Sequence, residues 1–195
     1  GSYIKNDLTK DVDTIKQLYS SLGYNFAKVT TKIREINKRN IDLIIEIDRG
    51  KITKISKISF TGNKKVKEKR LIDVIASEED KFWKFISRNT KFNENLVKLD
   101  ISLLTNYYKS IGYYDVEVVS NSAEIKKSGD IELIYSIEAG KRYSIKKITT
   151  EVDSVFDKNI FYPLNKKYAE IIGSFYSPFK VKRLLEDIDD LIDKN

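Results

Sequence analysis

The chain has no cysteine, no histidine and no methionine, and its 195 residues include only two prolines, eight glycines and one tryptophan. Without cysteine there is no disulfide framework, no thiol nucleophile and no thiolate metal site. Without histidine the commonest general base, the titration near neutral pH and the commonest metal ligand are all missing. No glycine-rich phosphate loop and no nucleophile–base constellation stands in their place. Asp187, Asp189, Asp190 and Asp193 look like a metal cluster only superficially, because on a helix they spread around the cylinder and no glycine-bearing loop accompanies them. The sequence therefore reads as non-catalytic, with no metal and no cofactor. No run approaches the roughly 18 consecutive apolar residues of a membrane helix. The opening Gly1-Ser2 reads as the remnant of a cleaved tag, and the chain as an excised piece of something longer.

What is present is an apolar fraction of 41% with 33% charged residues and a net charge of +7. That is enough apolar material for ordinary small cores. The basic residues are scattered and interleaved with acids, the pattern of solvated faces more than of a nucleic-acid footprint. The densest basic run is Lys64, Lys65, Lys67, Lys69 and Arg70, which falls at the start of an expected helix. Cations are unfavourable at that end of the helix dipole. The run reads either as a contact for acidic head groups or an acidic partner, or as a solvated face.

An internal repeat organises the chain. Leu18-Tyr19-Ser20-Ser21-Leu22-Gly23-Tyr24 returns as Tyr107-Tyr108-Lys109-Ser110-Ile111-Gly112-Tyr113, 89 residues on from Gly23 to Gly112. Ile41-Asp42-Leu43-Ile44 returns as Ile131-Glu132-Leu133-Ile134, and Gly50-Lys51 as Gly140-Lys141, 90 residues on. Residues 1–50 are then the back part of one unit, 51–141 a complete unit and 142–195 the front part of a third.

Within the complete unit, Ile58 and Phe60 alternate with polar residues as in a half-buried strand that ends in the turn Thr61-Gly62-Asn63. Leu71, Ile72, Val74 and Ile75 carry a first helix. A connector with Phe82, Trp83, Phe85 and Ile86 follows, whose aromatics read either as a partner-binding patch or as a cap on the open end of a small core. Leu96, Leu99, Leu103, Leu104, Tyr107 and Tyr108 mark a longer amphipathic helix ending at Gly112. Strands over 114–121 and 131–138 complete the unit. In the third copy Ile145 and Ile148 predict a strand, residues 155–172 a first helix and 176–193 a second.

This β-α-α-β-β unit resembles the polypeptide-transport-associated (POTRA) domains of outer-membrane assembly factors, on Phe60-Thr61-Gly62-Asn63, the Tyr107-Tyr108 pair before Gly112-Tyr113, and the closing Glu138-Ala139-Gly140. The fold class that follows is α+β: tandem modules, each a three-stranded mixed sheet covered by two helices. Gly23, Gly62, Asn63, Gly112 and Gly140 are then structural. The third copy departs from the pattern with Glu151-Val152-Asp153 at its first turn. The resemblance implies a non-catalytic scaffold on the periplasmic side of the outer membrane, attached in the full protein to a membrane β-barrel. Its partners would be unfolded outer-membrane protein clients and accessory assembly lipoproteins.

A small sheet has edges whose unpaired N–H and C=O groups can accept an extended chain as an added strand. In the family that edge is the strand after the second helix: here Tyr114, Asp115, Val116, Glu117, Val118, Val119, Ser120 and Asn121. The competing reading is that the edge is blunted or covered, and Asp115 and Glu117 are of the type that blunts. A basic α/β nucleic-acid-binding module is the alternative function. It would be expected to place exposed aromatics on the sheet face among basic residues, whereas the tyrosines here fall mainly at helix ends. The two incomplete copies are complementary parts of one unit, which predicts exchange-type self-association between chains.

Overall fold

Glycines at positive φ close several of the elements in the computed structural model: Gly23 follows the first helix, Gly62 the third strand, Gly112 the third helix and Gly140 the fifth strand. Helix α1 (Ser2–Ser21) leads into strands β1 (Lys28–Asn37) and β2 (Asn40–Asp48), an antiparallel pair in register from Lys28↔Asp48 to Asn37↔Asn40. Strand β3 (Ile55–Thr61) and helix α2 (Glu68–Val74) follow, then helix α3 (Glu94–Ser110) and strands β4 (Glu117–Ile125) and β5 (Ile131–Glu138). A 3-10 turn (Lys158–Phe161), helix α4 (Leu164–Ile171) and helix α5 (Pro178–Asp193) complete the chain. The structure describes every residue except Gly1, Asn63, Phe85, Ile86, Arg88, Lys127 and Asn195, and describes 2–6 and 122–125 by backbone alone. Asn63, expected to share the turn with Gly62, and Phe85 and Ile86 of the connector thus lie outside the described residues.

The order β3-β5-β4 puts β5 at the centre of a three-stranded sheet. Its sequence earns that place, since Ile131, Leu133, Tyr135 and Ile137 are all buried while the residues between them are not. β3 and β5 advance together: Ile131 N donates to Lys54 O (2.8 Å), Lys57 pairs with Glu132 (3.2 Å), and Phe60 stacks on Tyr135 (5.9 Å between centroids). That progression is parallel, whereas β4 and β5 are joined by a tight turn in which Lys126 N donates to Asp130 O (2.8 Å). The sheet is mixed, as the sequence predicts.

The residues gather into two compact units. One takes in Gly1–Phe60, Ile75–Ile101 and Ser120–Tyr135, the other Thr61–Val74, Ser102–Val119 and Ser136–Asn195. In the first, Asp100 lies fully buried in the apolar stripe of α3. Its carboxylate accepts from Ala76 N (2.7 Å), Ser77 N (3.1 Å) and Tyr135 OH (2.5 Å), fixing residues 76–77 and β5 to one side chain. Burial, with this hydrogen bond second, pushes the Tyr135 hydroxyl well above the usual phenol range. In the second unit Phe161, Leu164 and Tyr168 form a small core joined by Ile148, Leu184 and Ile188.

Two expectations for the third copy need correction. Residues 145–148 form no strand; only an isolated bridge, Ser144↔Phe175, marks the place. The equivalent β3 is held by β5, and no strand among the described residues lies beside 145–148 to do the same. The helix expected over 155–172 is split into the 3-10 turn and α4, because Pro163 sits between them and supplies no N–H.

Candidate functional site

The predicted edge strand starts later than its sequence suggests. Tyr114 and Asp115 occupy a turn, and β4 proper runs from Glu117 to Ile125. Both turn residues are engaged: the Tyr114 ring packs edge-on against Tyr176 (5.4 Å), and Asp115 accepts from Tyr143 OH at 2.7 Å. Beyond them the pleat takes over. Val116 and Val118 are buried at 7% and 8% exposure, while Glu117, Val119 and Asn121 face solvent and Ser120 is half-buried.

The two outer strands of the sheet differ in what covers them. β3 is strapped by the connector: Ile55 N donates to Thr90 O (2.8 Å), Asp80 N donates to Ile55 O (2.7 Å), and Ile58 N donates to Glu79 Oε1 (3.0 Å). On β4, by contrast, no backbone bond from outside the sheet reaches 117–121 among the described residues. Among the described residues, the outer strand without such a strap is β4, the strand after α3.

The basic run is less concentrated than the sequence implies. Lys64, Lys65 and Lys67 precede the helix, which begins only at Glu68, and Lys69 and Arg70 lie in its first turn. Lys64 forms an ion pair with Glu68, and Arg70 sits over Tyr107 (5.3 Å to the centroid) with Nε donating to its hydroxyl at 3.4 Å. Lys65, Lys67 and Lys69 are exposed. Among the described residues no group of acidic side chains is placed to hold a metal, and Asp187 pairs instead with Lys167 at 2.5 Å.

Gly23 and Gly112 belong to two junctions built alike, a feature the sequence reading missed. Gly23 O accepts from Thr53 N at 2.9 Å, and 90 residues after Thr53, Tyr143 N donates to Gly112 O at 2.9 Å. Phe92 N donates to Thr53 O as Tyr176 N donates to Tyr143 O, both at 2.9 Å. The second junction carries an added clamp: Arg142 lies 3.2 Å from the Phe175 ring centroid and 5.4 Å from that of Tyr113, with Nε donating to Ile111 O at 2.7 Å. A β-carbon on Gly112 would meet Phe175 Cβ at 2.9 Å, and one on Gly62 would meet Ile137 O at 2.6 Å. The signal available in sequence was the equal spacing of Gly23 to Thr53 and Gly112 to Tyr143, apart from one inserted residue.

With this geometry in view, the match to a family model covers residues 1–50 and 53–140, and the model is described as POTRA, surface antigen variable number repeat. This chain belongs to the POTRA family. Curated relatives include the outer membrane protein assembly factor BamA of Neisseria meningitidis serogroup B, 26% identical over 75% of this chain and 19% of its own length. The protein of the same name from Buchnera aphidicola is 25% identical over 95% of this chain and 29% of its own length. The chain thus spans less than a third of the curated relatives it matches. Among solved structures, POTRA domains 3–5 of Haemophilus influenzae BamA superpose with a TM-score of 0.53 at 16% identity, covering 94% of this chain and 68% of that one. The POTRA fold, and its α+β class, is therefore common to both.

Proposed function

We propose that this chain is part of a non-catalytic scaffold on the periplasmic side of the outer membrane, one that receives extended client polypeptides by strand addition to the open edge of β4. The observation that carries this reading is the asymmetry of the sheet: the connector occupies β3, and among the described residues no backbone bond from outside the sheet reaches 117–121. Backbone pairing reads no particular side-chain sequence, which suits a receiver of many clients. Alternation of Val116 and Val118 inward with Glu117 and Val119 outward gives the added strand a defined register against the pleat. Similarity to assembly factors named BamA supports outer-membrane protein assembly as the setting. In that setting the partners are unfolded outer-membrane protein clients and accessory lipoproteins, and the full protein continues into a membrane β-barrel. The chain divides into the back of one module (1–50), a complete module (51–141) and the front of a third (142–195).

Against a nucleic-acid platform stands the burial of the sheet's aromatics, Phe60 at 4% and Tyr135 at 0% exposure, which leaves no stacking surface there. A cross-linking experiment tests the proposal. Because the chain has no cysteine, Val119→Cys, at a site 53% exposed, provides a single thiol on the edge. It should form a disulfide with a cysteine-bearing, alternately apolar barrel-strand peptide much faster than Thr9→Cys on α1. Equal rates at the two sites would reject the edge.

A further inference from the structure

Phe82 and Trp83 do not cap a core. Phe82 is 89% exposed and Trp83 58%. Lys84 N donates back to Lys81 O at 2.8 Å, closing a turn that carries the two aromatics at its centre. The rings pack edge-on at 4.6 Å, and Lys81 Nζ lies 5.7 Å from the Trp83 centroid. The base of the turn is held by Lys84 Nζ to Glu78 (2.7 Å), Lys81 Nζ to Glu79 (3.4 Å) and Asp80 N to Ile55 O (2.7 Å). Two adjacent rings are thus displayed on a fixed support, where a surface selected only for solubility would carry polar residues.

We propose that the 81–84 turn is an interfacial lipid anchor: Phe82 and Trp83 enter the boundary between head groups and acyl chains of an anionic bilayer, with Lys81 and Lys84 at the level of the phosphates. Indole suits that boundary because it is apolar over most of its surface and keeps one N–H donor for the wet side. Lysine suits it because a flexible apolar stem carries its charge back to the water. The lysines' ion pairs do not oppose this. They are partly exposed contacts of the kind worth about 0–1 kcal/mol, so phosphate oxygens can replace the carboxylates at little cost. The chain's net charge of +7 adds long-range attraction to an anionic surface.

The shape of the feature favours a bilayer over a protein partner. Two aromatic side chains bury about 150–250 Å² each, well short of the about 800 Å² per partner in a stable protein interface. A bilayer requires no complementary surface to supply the remainder. This inference is independent of the β4 edge and stands or falls separately.

Trp83 is the only tryptophan in the chain, so its fluorescence reports this turn alone. The protein would be titrated with vesicles of phosphatidylethanolamine and phosphatidylglycerol, and in parallel with vesicles of phosphatidylcholine. The anchor predicts a shift of emission to shorter wavelength and quenching by lipids brominated near the glycerol, with stronger binding to the anionic vesicles. Phe82→Ser keeps the probe and, being on an exposed turn, should leave the melting temperature unchanged. It should weaken vesicle binding about tenfold or more, the equivalent of one lost apolar side chain. Emission that anionic vesicles leave unchanged overturns the proposal, as does equal binding to both vesicle types. A shift produced by an apolar peptide and not by vesicles assigns the turn to a protein partner and overturns it equally.

Discussion

Replacing Gly112 by alanine places a methyl group where the second junction has no room. Two penalties combine. The backbone at φ +101 is a conformation that side-chain-bearing residues rarely adopt, and a left-handed conformation costs an L-residue about 1–2 kcal/mol. The new β-carbon would also lie 2.9 Å from Phe175 Cβ, 3.1 Å from Arg142 Cγ and 3.2 Å from Tyr143 O. Two of these are atoms close to the backbone, so they cannot swing aside as the end of a long side chain would, and forcing such overpacking costs about 1–3 kcal/mol. The sum is about 2–5 kcal/mol, or about 4–20 °C of melting temperature for a chain of this size. Gly129 supplies the control: it has a comparable φ of +87, but a β-carbon there meets nothing within 4 Å. Gly129→Ala should lose only the backbone part, about 1–2 kcal/mol. Thermal and urea denaturation of the two variants side by side would isolate the contact contribution. Equal losses at the two positions would refute the packing argument, and no loss at Gly112 would refute the junction altogether.

Asp100→Ala should cost about 3–5 kcal/mol, because it removes a buried acceptor shared by two backbone N–H groups and a hydroxyl; an unchanged urea midpoint would contradict that role. Tyr135 titrates higher in the folded chain than when unfolded, so its contribution is fully present below the ordinary phenol range and is lost as pH rises above about 10; in Tyr135→Phe the alkaline fall in stability should be shallower. Self-association should also be measurable. β2 leaves Ile41, Leu43 and Ile45 exposed, no strand among the described residues lies beside 145–148, and the repeat equates these segments with β5 and β3. Sedimentation velocity across a dilution series should therefore reveal a concentration-dependent dimer, and a monomer at every concentration would exclude the exchange.

The repeat made most of this fold legible, because each residue group recurs with its neighbours in the same order. The Gly112 and Gly140 signals ended α3 and β5 where the structure ends them. Periodicity was less informative wherever the outcome depended on what lies alongside. Ile145 and Ile148 have the pattern of a strand, yet Ile145 exchanges bonds only with Ser174 and Gly173 and no strand among the described residues lies alongside to extend the pairing; a strand is a property of the pair. Tyr114 and Asp115 were counted into β4 because the alternation continues through them, yet their contacts with Tyr176 and Tyr143 hold them in a turn. Asp100 gave a signal that was passed over: one acid between Leu96 and Leu104 on an otherwise apolar helix face marks a buried acceptor. Whether Phe82 and Trp83 face inward or outward cannot be read from spacing at all, since a short connector has no period.

The strand-addition account rests most directly on where an extended chain pairs. Backbone amide signals should be followed by heteronuclear NMR while a peptide with alternating apolar residues from an outer-membrane barrel strand is added. The account predicts that residues 117–121 shift most, with smaller shifts on β5 and none along the strapped edge of β3. Shifts confined to residues 64–70 would point to electrostatic capture, and shifts confined to β3 would mean the connector yields; either result would contradict the open β4 edge as the receiving surface.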